Sequence, residues 1–110
     1  MISMNENRNS KKRWTEKELG SQVGKNVIIT GTGGLGYEAA ISLAGAGANV
    51  IIAGRNANKG AKAVQAIKNE YPHATINFQK LDLADLASIE NFGKIIQSTF
   101  EKLDILINNA

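Results

Sequence analysis

The 110-residue chain has no cysteine, one proline, one histidine and one tryptophan, and aromatic residues make up only 5% of it. Without cysteine there is no disulfide, no thiolate metal site and no cysteine nucleophile, and a reducing cytoplasm is the expected setting. The lone histidine, His73, stands beside Pro72 with no ligand partner in view; it reads as a solvated loop residue, and no metal site is expected. No run of residues approaches the apolar length of a membrane span, so no membrane partner is expected. The first thirteen residues, Met1–Arg13, lack the apolar core of a secretory signal.

Charge is also scarce once it is located. The net charge of +3 comes from residues 1–13, which carry four basic side chains and one acidic; the remaining residues balance at nine of each. Residues 1–13 therefore read as a disordered, solubilising basic arm. A nucleic-acid partner is not expected, because nothing aromatic or repetitive supports one. Residues 14–110 read as one domain, and the 43% apolar content is ordinary for a globular protein.

Short apolar runs alternate with segments of helical period. Strands are expected at Asn26–Thr30, Asn49–Ala53, Thr75–Leu81 and Leu103–Asn108, and helices at Leu35–Gly47, Ala57–Glu70 and Leu86–Glu101. Small residues (Ala39, Ala40, Leu43, Ala44) form the buried face of the first helix. Ala61, Val64, Ile67 and Tyr71 form that of the second, and Ile89, Phe92, Ile96 and Phe100 that of the third, with Asp85 as its cap. The order βαβαβαβ, joined by right-handed crossovers, predicts an α/β fold: the first half of a doubly wound parallel sheet, with strand order 3-2-1-4.

The first strand runs into Gly31-Thr32-Gly33-Gly34-Leu35-Gly36. Gly31, Gly33 and Gly36 have the G-x-G-x-x-G spacing in phase with a strand and a helix, the arrangement that holds a dinucleotide pyrophosphate. Four glycines in six residues exceed what a tight turn alone requires. An NAD-selective site places a carboxylate at the end of the second strand to accept from the ribose 2′-hydroxyl. This chain has Gly54-Arg55-Asn56 there and no acid. A permanently charged guanidinium suits a 2′-phosphate, so the expected cofactor is NADP(H), ahead of NAD.

Together Thr30-Gly31…Gly34-Leu35-Gly36, Asp82-Leu83 after the third strand, and Asn108-Asn109-Ala110 resemble the short-chain dehydrogenase/reductase family in order and spacing. Trp14-Thr15…Gly24-Lys25-Asn26-Val27 and Gly36-Tyr37-Glu38 are similar to its retinol dehydrogenase and protochlorophyllide reductase branch. The resemblance implies an NADP(H)-binding Rossmann domain over 14–110 and an oxidoreductase acting on alcohols or carbonyls. It also implies that Asp82 contacts the adenine amine, that Leu83 flanks the ring, and that Asn108-Asn109-Ala110 lines the cofactor groove. One residue fewer separates Gly31 from Gly34 than in the family pattern; the turn either closes in the shorter G-x-G-x-x-G manner or holds phosphate poorly.

The family's acid/base tyrosine is followed by lysine four residues on. Here Tyr37 is followed by Ile41 and Tyr71 by Thr75, so both tyrosines read as packing residues. No catalytic residue is expected in this chain, and the chain alone is expected to be inactive. A non-catalytic nucleotide-binding module and a decayed remnant stay open as alternatives. The fourth strand, with Ile105-Leu106-Ile107, would form an apolar parallel edge that invites self-association.

Overall fold

The computed structural model describes residues 20–31 and 33–109. The expected basic arm, Trp14-Thr15, Thr32 and Ala110 lie outside the described residues. Strand β1 spans Asn26–Thr30, β2 Asn49–Gly54, β3 Thr75–Lys80 and β4 Ile105–Asn108. Helix α1 spans Gly34–Gly45, α2 Ala57–Glu70 and α3 Leu86–Thr99. The four strands are all parallel and lie in the order β3-β2-β1-β4, a Rossmann-like half sheet.

Register follows the apolar pattern. Val27 lies opposite Val50 and Ile105, and Ile29 opposite Ile52 and Ile107. These alternate positions share one face of the sheet. They form a single core with Ala39, Ala40, Leu43 and Ala44 of α1 and with Ala63 and Ile67 of α2. The alanines bring α1 close to the sheet, as their spacing predicts. Ile28 and Ile51 point to the opposite face and are equally buried. There the end of α3 approaches: Thr99 and Phe100 line a cavity of about 180 Å³ with Asn49, Ile51 and Asn77.

Several expectations need correction. The stripe expected to be the buried face of α3 is not buried: no residue of that helix is, Ile89 is exposed, and Phe92, Ile96 and Phe100 are only half-buried. Helix α3 ends at Thr99 rather than Glu101, and β4 begins at Ile105 rather than Leu103. Helix α1 ends at Gly45 rather than Gly47, because Ala46 and Gly47 turn back toward β2, with Gly47 at φ 103°. On α2, Ala61 is exposed, and the buried positions are Gly60, Ala63 and Ile67. A Cβ at position 60 would collide with the Phe78 ring, so the helix meets β3 through a glycine. Its value lies in the ring's close approach, which outweighs a helix-propensity cost of about 1 kcal/mol.

Three helix starts are treated differently. Asn56 caps α2, its side chain accepting from the Lys59 amide at 3.1 Å. Asp85 caps α3, accepting from Ala87 at 3.0 Å and Ser88 at 3.4 Å. Helix α1 starts from Gly33 with no side-chain cap.

Candidate nucleotide-binding site

Parallel strands deliver their C-terminal ends to one side of the sheet, and in an open α/β sheet ligands collect there, at the point where strand order reverses. In this fold that point lies between β1 and β4, where the glycine turn leaves β1. Gly31 has φ 89°, a conformation that side-chain-bearing residues rarely adopt, and its amide donates to Ala53 of β2 at 2.7 Å. The chain thus turns sharply at the top of β1 while still tied to β2.

The end of β4 holds the other side of the turn. The Thr30 hydroxyl donates to Asn108 Oδ1 at 3.1 Å and accepts from the Asn109 amide at 3.2 Å. The Asn109 side-chain amide donates to the Gly33 carbonyl at 3.1 Å. Gly36 is buried, and a Cβ there would run into the Asn109 side chain and come within 3.2 Å of the Gly31 carbonyl. Space for a Cβ at Gly33 and Gly34, by contrast, is open. Among the described residues no side chain caps the first turn of α1, and there is open ground beside Gly33 and Gly34; the N–H groups of a helix start of this kind are the donors a phosphate uses.

A cavity of about 490 Å³ opens beside this turn, across the ends of β1, β2 and β3. Its walls bring together Thr30, Gly31, Arg55, Asn56, Asp82 and Leu83, six of the residues singled out from sequence. Ala53, Gly54, Lys59, Leu81 and Ala84 complete it. Gly33, Gly34, Leu35, Gly36, Asn108 and Asn109 do not line it; they form the turn and the strand end next to it. Lys59 was not legible as a site residue, because a lysine on the first turn of a polar helix looks like ordinary solvated surface.

The loop after β3 is closely organised. Leu81 donates to Gly54 at 2.8 Å, holding the loop against the end of β2. The Asp82 carboxylate accepts from the Ala84 amide at 3.0 Å, and the Asp82 carbonyl from Asp85 at 3.1 Å. Neither tyrosine takes part in the site. Tyr37 and Tyr71 pack against the core, and the Tyr71 ring lies where a Cβ of Gly45 would be. His73 is exposed in a turn, and among the described residues no group of three histidine or carboxylate side chains could hold a metal. No helix among them is long and apolar enough to cross a membrane.

The sequence model of the short chain dehydrogenase family matches residues 25–110. The chain belongs to this family. Among curated members it is 40% identical over 99 residues to an uncharacterized oxidoreductase of Schizosaccharomyces pombe, an overlap of 89% of this chain and 29% of the relative. It is 43% identical over 88 residues to retinol dehydrogenase 13 of Homo sapiens, covering 79% of this chain and 27% of that one. Among solved structures, the Pseudomonas aeruginosa RhlG/NADP active-site complex superposes with a TM-score of 0.71 at 28% identity, covering 82% of this chain and 36% of that one. The chain thus spans about a quarter to a third of the length of these relatives. The matched part is the one that carries the glycine turn and the ends of the first strands.

Proposed function

We propose that this chain is the cofactor-binding portion of an NADP(H)-dependent short-chain oxidoreductase acting on alcohol or carbonyl substrates. The observation that carries the reading is the lining of the 490 Å³ cavity. Two cations, Arg55 and Lys59, flank the end of β2, and no carboxylate stands at the place where an NAD-selective site needs one. Arg55 and Lys59 would hold the 2′-phosphate, and the Asp82 carboxylate would accept from the adenine amine with Leu83 against the ring. The uncapped start of α1 would take the pyrophosphate. That a relative's structure is an NADP complex supports this assignment.

When bound, the cofactor supplies the hydride. This chain's residues bind and orient it; they do not move the accompanying proton, because both tyrosines pack against the core and neither is followed by the lysine partner. We therefore assign that chemistry to residues outside this sequence.

Titration of the chain with NADPH and NADH, followed by nucleotide fluorescence, tests the proposal. The wild-type chain is expected to prefer NADPH. Arg55→Asp removes a charge-assisted contact and adds a repulsive charge, lowering NADPH affinity roughly 10- to 100-fold and leaving NADH equal or better. An unchanged preference rejects NADP(H) selectivity. Binding of neither nucleotide rejects the site altogether.

A further inference from the structure

Asp82 can present a carboxylate to a base only if its loop keeps its shape, and the loop's hydrogen bonds show what keeps it. Two of them are local: the Ala84 amide to the Asp82 carboxylate, and the Asp85 amide to the Asp82 carbonyl. The third comes from outside. The Ser88 hydroxyl, on the first turn of α3, accepts from the Asp82 backbone amide at 2.9 Å. Ser88 occupies the third helical position, where a capping box would reach back to the amide of the N-cap itself. The amide of the N-cap, Asp85, is already paired with Asp82, so the serine reaches three residues further back, into the wall of the cavity.

Consequently Asp82 is held at its amide, its carbonyl and one carboxylate oxygen. Among the described residues nothing bonds the second carboxylate oxygen. Both Asp82 and Ser88 are half-buried, so water replaces the serine only in part. We propose that Ser88 is a positioning residue for base recognition: by fixing the Asp82 amide it aims the free carboxylate oxygen at the exocyclic amine of an adenine. This rests on the nucleotide reading of the cavity.

An adenine presents an amine donor where hypoxanthine presents a carbonyl oxygen, which a carboxylate repels. The test is to titrate the full 110-residue chain with 2′,5′-ADP and with inosine 2′,5′-bisphosphate, using wild type, Ser88→Ala and Ser88→Thr. Wild type is expected to favour adenine roughly tenfold. Ser88→Ala should weaken 2′,5′-ADP about fivefold while leaving the inosine compound unchanged, so that discrimination nearly vanishes. Ser88→Thr, which keeps the hydroxyl, should restore it.

Circular dichroism establishes that each variant is folded. A purely structural serine would lower the melting temperature and leave base preference intact, and that result overturns the proposal. So does a folded Ser88→Thr chain that fails to regain preference. If wild type binds both compounds equally, Asp82 does not read the base and the inference falls, while 2′-phosphate selectivity stands. If wild type binds neither, the nucleotide reading falls and takes this inference with it.

Discussion

The two ends of β1 are built on opposite principles. At its start, all four polar groups of Asn26 are used. Its amide donates to Asp104 Oδ2 at 2.8 Å and its carbonyl accepts from the Asp104 amide at 2.9 Å. Its side chain donates to the Lys102 carbonyl at 2.9 Å and accepts from Asn49 at 3.0 Å. This clamp joins β1 to both neighbouring strands. At the other end, β1 runs into a glycine at positive φ, an uncapped helix and an open cavity rimmed by exposed cations. Satisfied polar groups lock a structure, and unsatisfied ones are available to a ligand. The difference teaches where stability and recognition reside in this chain: substitutions at the clamp should move the melting temperature, and substitutions at the open end should move affinity.

The comparison breaks most completely at Gly60, because α2 serves both the core and the cavity wall. Gly60→Leu forces the helix away from the Phe78 ring, which should cost about 2 kcal/mol or more in denaturant unfolding. It should also weaken NADPH binding, since Arg55 and Lys59 move with the helix start.

The clamp itself is tested by acid. Asp104 has its pKa lowered chiefly by the Asn26 amide that donates to it, with Lys102 at 3.4 Å and Lys25 adding to the effect. A carboxylate depressed by folding contributes stability that is full above its unfolded value and lost as pH falls through its folded one. Asp104→Asn should therefore lower the melting temperature at neutral pH and flatten its fall in acid, with nucleotide affinity unchanged. Melting curves across the acid range check both parts.

The smallest effect sharpens the contrast from the other side. Lys59 sits on the first turn of α2, which has no acidic residue there, so its charge opposes the helix dipole. Lys59→Ala should leave the melting temperature level or slightly raised, while lowering 2′,5′-ADP affinity roughly three- to tenfold. A lysine that merely covered surface would leave the affinity unchanged.

How far these regions were legible in sequence follows the same division. Strand β1 and helix α2 fall on the expected residues, and the strand order 3-2-1-4 follows from crossover handedness. Asp85 caps α3 as its position before an apolar stripe predicts. What escaped was tertiary. Ala61 looked apolar and Gly60 did not, because a glycine's burial becomes visible only once the Phe78 ring lies across it. The fourth strand does lie at the edge of the sheet, with Ile105 and Ile107 buried and Leu106 half-buried. Arg55 and Asp82 could be singled out from motif position. Lys59 and Ser88 could not, because their roles depend on which strand ends meet.

The bond from Asn109 to the Gly33 carbonyl spans 76 residues. The chain must therefore close one of its longest loops before the turn takes its final shape, and that closure costs entropy that no local contact returns. A piece of this chain ending before Asn109 would contain every glycine of the motif and still lack the side chain that sets it. The glycine-rich turn is written locally but assembled at long range.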